Sequence, residues 1–297
     1  MKRVFASFIV FFLASLSCVV AAGGRSLEEI KRTREIRVCL SPIHPSVCSA
    51  QPEGCRDNCQ FSGPTYDAAA AFVSSLGDDI VPRFIRVSWD EQFFNKAGVT
   101  VREASYTPEF LASDRCDLYP SNLAKNEWRL NKMDFVTMFP NRKMVIVKRS
   151  EKDRFKTPAD LAGKTAAVVK DTSHHAWLEQ QNRGAFSGRP VTIRVMSMED
   201  SLGAVNRGEA DFTMMDSDAA IWAIRHEYGD ADMAFAVGAA DEIGWAFRKE
   251  DKDLQDAVRV FFEQQRSHVD SALNRIWQKY YSMSLTDFVR LVSSISE

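Results

Sequence analysis

The stretch Asp117-Leu-Tyr-Pro-Ser-Asn-Leu-Ala-Lys-Asn-Glu-Trp-Arg129 joins a short strand pattern to a single arginine. Asp117-Leu-Tyr119 predicts the strand. A guanidinium presents a rigid fork of donors that matches a carboxylate in two parallel hydrogen bonds. Arg129 is therefore a candidate anchor for a carboxylate ligand. The alternative is a surface arginine without a ligand, since Arg142 shows that other arginines lie nearby in the sequence.

Short apolar strands alternate with helical patterns on both sides of this stretch, and the alternation occurs in two successive blocks. Helix signals then run to the end of the chain, at 253–265, 269–281 and 285–294. Alternation of this kind is typical of α/β layers with largely parallel sheets. We expect two α/β lobes, with the helical tail returning to complete the first.

The first residues predict an export signal. Lys2 and Arg3 give a positive start, an uncharged apolar run extends from Val4 to Val20, and small residues favour cleavage after Ala22. A membrane anchor is the alternative, because the run is about long enough to enter a bilayer. A lipid anchor on Cys18 is a weaker alternative. We expect a signal peptide at 1–22 and a mature protein in the periplasm.

Composition limits the functional classes that fit the mature chain. Removing two cations from 38 basic residues leaves 36 against 40 acidic residues, a net charge of −4, which excludes the basic footprint of a nucleic-acid-binding protein. The 297 residues less the 22 of the signal leave 275, which suits two lobes better than one core. The sequence contains no nucleophile elbow, phosphate loop or well-spaced metal-ligand cluster. We therefore expect no catalytic residue, no metal and no cofactor.

Five cysteines remain after cleavage, and in an oxidising compartment we expect them to form two disulfides and leave one thiol. They are Cys39, Cys48, Cys55, Cys59 and Cys116. Because three of them fall in one loop, one bridge is expected within that loop. The spacing of Cys55 and Cys59 also suits zinc, but it lacks a second close ligand pair apart from the isolated His44, and export favours disulfides.

Several short motifs, taken in order, resemble the family 3 extracellular solute-binding proteins, the amino-acid-binding components of import systems. The stretch from Asp117 to Arg129 matches, without gaps, a family strand followed by Gly-Met and Thr-Pro-Glu-Arg, and Met133-Asp134-Phe135 matches the downstream Val-Asp-Phe. Further matches are Ser26-Leu-Glu-Glu-Ile-Lys31 with Ile36-Arg-Val38, Thr157-Pro-Ala-Asp-Leu-Ala-Gly-Lys164, Arg207-Gly-Glu-Ala-Asp211 and Ile276-Trp-Gln-Lys-Tyr280. Each motif alone is weak, but six in order across the mature chain are specific.

The resemblance implies an α/β, two-lobed periplasmic-binding-protein fold of type II. Each lobe is expected to be a mostly parallel sheet flanked by helices, and a two-strand hinge is expected to join them. The implied lobes are 23–140 plus 244–297 and 144–238, with the hinge at 141–143 and 239–243. Hinge closure around the ligand is the expected motion.

The resemblance also implies ligand contacts at Arg129, Thr172 and Asp216. In the family, the matching arginine holds the ligand α-carboxylate. Thr172 lies at a strand-to-helix junction, where free backbone N–H groups favour an anion, although a simple N-cap explains it equally. Asp216 ends an apolar strand, where a carboxylate pairs with a ligand ammonium, and Asp218 is its competitor. The predicted ligand-binding set is completed by Asn122, Asn126 and Ser173.

Several neighbours depart from the family pattern. Asn122 replaces a glycine, Asn126 replaces a threonine, and Asp171 stands where a glycine precedes the Thr172 position. Amides still hydrogen-bond a ligand but with different reach, and Asp171 adds negative charge near the predicted carboxylate. We therefore expect an amino-acid-like ligand, with an unusual amino acid, a small peptide and another small carboxylate as the open alternatives.

Two further features have competing interpretations. The loop from His44 to Phe61 replaces a short family loop that carries an aromatic lid. Phe61 or Tyr66 is predicted to take the place of that lid. His174-His175 suggests a metal, but adjacent helical residues point about 100° apart and do not readily chelate one ion. We expect solvent-facing or cleft-edge histidines.

The preferred function is a non-enzymatic solute-binding protein that serves an ABC-type importer through an inner-membrane permease. A ligand-sensing partner of a membrane receptor is the first alternative. The tail at 280–294 also resembles the linker that follows the binding module of F-type lytic transglycosylases, whose chemistry requires a general-acid glutamate in a further domain. We expect no room for that domain before Glu297, which would make the chain a catalytically empty relative.

Two other functions share the fold or a motif. Periplasmic dehydratases of this fold need an acid or base in the cleft, for which Asp216, the paired histidines and Glu127 are candidates. An accessory to a quinoprotein dehydrogenase is suggested by the phrases Val38-Cys39 and Cys116-Asp117. Retention of Arg129 and Asp216 favours a real ligand over that role.

Overall fold

The computed structural model describes residues 24–294, so the predicted signal peptide lies outside the described residues. The helices are α1 (Leu27–Thr33), α2 (Pro64–Leu76), α3 (Glu109–Ala112), α4 (Glu127–Leu130), α5 (Ser173–Arg183), α6 (Met198–Arg207), α7 (Ser217–His226), α8 (Lys252–Ser267), α9 (Ala272–Tyr281) and α10 (Leu285–Ser294). Between residues 24 and 294, no helix has both the length and the apolar character that a membrane crossing requires.

The strands belong to three sheets. They are β1 (Glu35–Leu40), β2 (Ser49–Gln51), β3 (Gln60–Ser62), β4 (Val81–Arg86), β5 (Tyr119–Ala124), β6 (Asp134–Lys148), β7 (Thr165–Val168), β8 (Thr192–Val195), β9 (Phe212–Asp216) and β10 (Ala231–Phe247). The largest sheet has the order β5-β10-β6-β9-β7-β8, β1 pairs with β4, and β2 pairs with β3. A single parallel bridge between Val38 and Leu118 brings β1 beside the start of β5.

The α/β class is confirmed, and its sheets are mixed. β1 with β4, and β7 with both β8 and β9, pair in parallel, as expected for strands joined by helical crossovers. β6 and β10 pair antiparallel with each other. β10 also pairs antiparallel with β5, and β6 pairs antiparallel with β9. These two long strands are the ones that pass between the two halves of the molecule.

Two groups of elements pack around separate cores, which we call lobe 1 and lobe 2. The largest core of lobe 1 brings α2, α8, α9 and α10 onto the sheet around Trp245, whose ring meets Phe72 and Phe262 edge-on at 5.7 and 4.9 Å. The main core of lobe 2 packs α5 onto β7 and β9 around Leu178 and Phe212. Full burial of each such side chain contributes roughly 1.5–3 kcal/mol. The residue boundaries of the lobes stay predictions.

The crossing segments are longer than the sequence pattern predicts. The pattern gives separate strands at 144–147, 232–237 and 244–248, whereas β6 and β10 each run unbroken through the polar residues beside those segments. Backbone pairing continues there, but its register shifts between Val237 and Asp241 and again between Ile243 and Gly244. A Cβ on Gly244 would lie 2.3 Å from the Val136 carbonyl oxygen, so this crossing needs a glycine. The irregular register coincides with the predicted hinge, which stays a prediction.

The five cysteines between residues 24 and 294 form two disulfides and leave one thiol, as predicted. Cys39–Cys116 ties β1 to the segment before β5, and Cys55–Cys59 closes the loop between β2 and β3. The expected bridge within the three-cysteine loop is therefore confirmed. Cys48 is free and buried, and its burial raises the pKa of the thiol to about 12. The thiol is accordingly neutral and unreactive at physiological pH.

Candidate ligand-binding site

A cavity of about 220 Å³ lies between the two lobes. This volume is below the roughly 300–1,000 Å³ typical of pockets for drug-sized ligands, so it suits a small solute. Its apolar walls are Ile43, Val47, Trp89, Ala124, Val169, Met198, Met214, Met215, Ala219 and Ile243. Its polar groups are Ser121, Asn122, Arg129, Thr172, Ser173, His174, Ser197, Ser201, Thr213, Asp216 and Asp218. Five of the six residues predicted to bind ligand therefore meet at one cavity.

The sixth predicted residue, Asn126, is not among the residues lining the cavity. Its side-chain oxygen accepts from the Arg129 backbone N–H at 3.2 Å and caps α4. That cap starts a helix of only four residues and sets the direction from which Arg129 enters the cavity. In the structure, Asn126 therefore contacts Arg129 itself.

Arg129 is enclosed by lobe 1, with only 1% of its surface exposed. Its Nη1 donates to the Ala124 carbonyl at 2.7 Å, and the guanidinium lies 4.9 Å from the Phe93 ring centre and 5.2 Å from that of Trp128. Aromatic faces of this kind favour a cation. Burial lowers the Arg129 pKa to about 10 in spite of Asp216, so the guanidinium stays charged at neutral pH. Its Nε is buried and has no hydrogen-bond partner among the described residues.

Asp216 enters the cavity from lobe 2, where it ends β9 and precedes α7. Burial alone would raise its pKa, but the neighbouring His174, Lys143 and Arg129 together hold the Asp216 pKa below its usual range. His174 Nε2 lies 3.1 Å from Asp216 Oδ1, close enough for an ion pair but without the alignment of a hydrogen bond. The cavity thus holds a cation on one wall and a carboxylate on the other.

Thr172 lines the cavity and also caps α5, so both of its proposed roles are compatible. Its hydroxyl oxygen accepts from the His175 N–H at 3.2 Å and donates to the Val169 carbonyl at 2.8 Å. Ser173, the first residue of α5, lies beside it at the cavity wall. The N-terminus of α5 carries free N–H groups and a positive dipole end, which favour an anion.

Two departures from the family pattern have a backbone explanation. Asn122 has φ of 50° and Asp171 has φ of 61°, in the left-handed region that glycine enters freely and that Asn and Asp tolerate best. Both residues therefore adopt a backbone conformation that a glycine at the same position would enter freely. The carboxylate of Asp171 forms an ion pair with Arg102 of lobe 1 and is not among the residues lining the cavity. Its charge is accordingly neutralised by a contact across the cleft.

The prediction that Phe61 or Tyr66 forms an aromatic lid over the ligand is wrong. Phe61 and Tyr66 pack on Phe84 outside the cavity, with ring centres 6.2 and 4.7 Å from it. The aromatic ring at the cavity is Trp89, which follows β4. Tyr66 falls on α2, whose apolar face turns towards the lobe 1 sheet, and β2 pairs with β3 to hold Phe61 beside it. The sequence did not predict the hairpin of β2 and β3, because a loop rich in cysteine and polar residues shows no strand pattern.

Two polar side chains line the cavity although they were not among the residues predicted to bind ligand. His174 is only 6% exposed and lies at the cavity wall beside Asp216, so of the two expected positions it takes the one at the cleft and not the one facing solvent. Asp218 appeared only as a competitor of Asp216, whereas both line the cavity. Burial and the neighbouring Asp216 raise the Asp218 pKa to about 7. The sequence feature that could have indicated Asp218 as a cavity residue is its position in the first turn of α7, immediately after a strand.

The two lobes also contact each other at the rim of the cavity. His44 Nε2 of lobe 1 lies 3.0 Å from Glu227 Oε2 at the end of α7, and Ser46 Oγ lies 2.9 Å from the other ring nitrogen. The His44 ring meets Trp222 of α7 edge-on at 5.3 Å. Burial lowers the His44 pKa, although Glu227 opposes the change. The lobes are therefore in contact on the side of the cavity where β1 ends.

Residues 24–294 contain no group of three His, Cys, Asp or Glu side chains arranged to hold a metal ion. The bridged Cys55 and Cys59 are not free to ligate zinc.

Solved structures share this architecture. ArgBP from T. maritima, in a variant form, superposes with a TM-score of 0.65 at 21% identity, covering 86% of this chain and 99% of that one. A substrate-binding protein of an ABC uptake transporter from Streptococcus pneumoniae, with bound histidine, superposes with a TM-score of 0.68 at 17% identity, covering 87% and 96%. The two-lobed type II periplasmic-binding-protein fold is thereby confirmed.

Sequence relatives fall into two groups, and no family model matches the chain. Membrane-bound lytic murein transglycosylase F from Saccharophagus degradans is 25% identical over 272 residues, covering 91% of this chain and 50% of the relative. The same enzyme from Desulfosudis oleivorans is 25% identical over 220 residues, covering 74% and 44%. The L-cystine-binding protein TcyA from Bacillus subtilis is 20% identical over 280 residues, covering 92% and 95%.

The chain thus spans about half the length of the transglycosylases it matches and nearly all of TcyA. Both resemblances seen in the sequence are confirmed, one to amino-acid-binding proteins and one to transglycosylase F.

Proposed function

We propose that this protein is a periplasmic solute-binding protein that captures a small amino-acid-like or carboxylate ligand between its lobes for an ABC-type importer. The observation that carries the proposal is the Arg129 guanidinium, which is buried at the cavity with a free Nε. A buried cation is costly unless an anion compensates it. A ligand carboxylate would supply that anion in a two-pronged contact.

The opposite charges of the cavity support an amino acid over a simple acid. Arg129 and Asp216 come from different lobes, so one ligand that satisfies both must carry an anion and a cation. An α-amino acid does so within one small group. The remaining walls are largely apolar and include Met198, Met214 and Met215, which adapt to varied side chains. We propose an amino acid whose side chain is small or apolar.

Closure of the lobes would enclose the ligand in the cavity. We propose that the lobes are 23–140 plus 244–297 and 144–238, and that β6 and β10 bend at 141–143 and 239–243. The register shifts of β10 in that region support a bend there. The contacts between His44 and Glu227 and between Arg102 and Asp171 form only where the lobes meet. They would stabilise the closed, ligand-loaded state.

A thermal-shift screen tests the proposal. The purified mature chain is mixed with the common amino acids, with their des-amino carboxylates, with short peptides and with muropeptides. A ligand present at 100 times its dissociation constant should add about 2.7 kcal/mol to the free energy of unfolding. A clear shift with at least one amino acid supports the proposal. A screen in which no amino acid or carboxylate shifts the transition contradicts it.

The relationship to transglycosylase F favours a second candidate, a module that binds fragments of the cell wall. Muropeptides carry carboxylates and an amino-acid stem, so Arg129 would serve them as well. In the same screen, a shift with muropeptides and none with free amino acids would favour this candidate. An ABC-type permease would then not be the expected partner, and a sensor or wall-binding role would replace it. Neither candidate assigns a catalytic residue to the described chain.

A further inference from the structure

A second cavity, of about 750 Å³, lies on the outer side of lobe 1 and shares no lining residue with the cavity between the lobes. It is bounded by β4, by the loop that Cys55–Cys59 closes and by the segment after α3. Five arginines line it, and we call it the arginine cleft: Arg37, Arg56, Arg83, Arg86 and Arg115. Its volume lies within the range typical of ligand pockets.

The acidic residues of the cleft do not balance its arginines. Three acids line it, which leaves an excess of two positive charges. Two of the three are already engaged: Asp114 lies 2.8 Å from Arg248, outside the cleft, and Glu91 accepts from the Ser88 N–H at 2.6 Å while lying 3.6 Å from Arg56. The third, Asp57, is exposed. Arg37 is paired with Glu35, which lies 2.9 Å away and outside the cleft. The positive charge that the described residues leave uncompensated in the cleft is therefore that of Arg83, Arg86 and Arg115.

Three of the arginines form no ion pair with any residue between 24 and 294. Arg83 is exposed on β4, directly opposite Arg37 on the parallel strand β1, an arrangement of like charges that costs stability. Arg86 has a buried Nε that lacks a hydrogen-bond partner within the described chain. The Arg115 guanidinium lies 4.1 Å from the Phe110 ring centre, which holds it over the cleft without neutralising it.

We propose that the arginine cleft binds a small multivalent oxyanion, separately from the ligand between the lobes. Guanidinium forks match the oxygen pairs of carboxylates and phosphates alike, so the shared chemistry is a compact group with two or more negative charges. Such an anion would relieve the repulsion between Arg37 and Arg83 and supply an acceptor to Arg86. A monovalent acid could engage only part of the set and would bind more weakly.

Citrate and pyrophosphate are suitable probes for the two sources of this chemistry. Each is titrated into the purified mature chain by calorimetry, at fixed ionic strength in chloride, with acetate as the monovalent comparison. We expect saturable binding of at least one of the two multivalent anions, and its identity assigns the cleft to carboxylates or phosphates. Binding of neither at millimolar concentration, or equal binding of acetate, overturns the proposal.

Variants locate the binding. The double variant Arg83→Gln/Arg115→Gln should lower the affinity for the anion at least about tenfold, which corresponds to about 1.4 kcal/mol. Arg183→Gln is the matched control, because it removes an exposed arginine at the end of α5 in lobe 2. Arg129→Gln should leave anion binding intact and so separates this site from the cavity between the lobes. Equal weakening in Arg183→Gln, or loss of binding in Arg129→Gln, overturns the proposal.

Discussion

Closure of the lobes should depend on the contact between His44 and Glu227. The change is Glu227→Ala, which removes the only carboxylate that the described chain places within hydrogen-bond distance of the His44 ring. The two side chains lie 3.0 Å apart and are 2% and 31% exposed. A hydrogen bond to a charged group contributes roughly 1.5–3 kcal/mol, but a carboxylate that is one-third exposed recovers part of this from water.

We therefore expect a loss of about 1 kcal/mol from the closed state. If ligand binds with the lobes closed, the same energy appears in the dissociation constant, which should rise about fivefold. Calorimetry with the amino acid selected by the thermal-shift screen measures this, and small-angle scattering of the ligand-free protein should show a larger radius of gyration. Both measurements are made on the folded variant, whose overall stability should change only marginally.

Two controls make this result specific. Glu227→Gln keeps an acceptor for His44 and should show a smaller effect than the alanine variant. Glu263→Ala removes the same charge from an exposed position on α8 and should change neither the affinity nor the radius. An affinity in Glu227→Ala within twofold of wild type, together with an unchanged radius, would refute the idea that this contact stabilises closure.

Three other predictions follow from named groups. Asp216→Asn should weaken the binding of an amino acid by about 10–100-fold but that of its des-amino carboxylate by less than about threefold, since only the amino acid carries an ammonium that the Asp216 carboxylate can bind. Calorimetry with both ligands measures this, and equal losses of affinity would count against it. The pKa of Asp218 is raised from its usual 3.8 to about 7, so the folded protein favours the protonated carboxyl. The stability that this protonation gives is fully present below pH 3.8 and is lost as the pH rises through 7. Asp218→Asn mimics the protonated form, so its Tm relative to wild type should be higher at pH 8 than at pH 5; a difference that does not vary with pH would contradict this. Cys39→Ser/Cys116→Ser opens a separation of 77 residues and should cost about 4.5 kcal/mol by chain entropy, against about 2 kcal/mol for Cys55→Ser/Cys59→Ser with a separation of 4, as measured by denaturant unfolding. Similar losses in both double variants would be inconsistent with the loop-length argument.

Much of the fold could be predicted because its signals are local. Alternating apolar runs set the predicted order of strands and helices, and the structure keeps that order. The length of β6 and β10 could not be predicted, because pairing continues through polar residues whose backbone groups are satisfied by neighbouring strands. Those partners are distant in the sequence and leave no periodic trace.

The site was partly predictable through the resemblance to family 3 solute-binding proteins. That resemblance implied Arg129, Thr172 and Asp216, and all three line the cavity. His174 and Trp89 could not be assigned in this way, because their direction depends on how two lobes pack against each other. Asn126 shows the converse, since a residue in the correct register turned inward to cap α4.

The central claim is that Arg129 holds the ligand carboxylate. Calorimetry of the screened amino acid with wild type and Arg129→Gln tests it, with Arg129→Lys to keep the charge without the fork and Arg183→Gln as the exposed control. Removing one partner of a buried charge pair costs about 2–5 kcal/mol, so we expect about 30-fold to about 5,000-fold weaker binding in Arg129→Gln, an intermediate loss in Arg129→Lys and none in Arg183→Gln. A folded Arg129→Gln variant that binds within twofold of wild type would contradict the account.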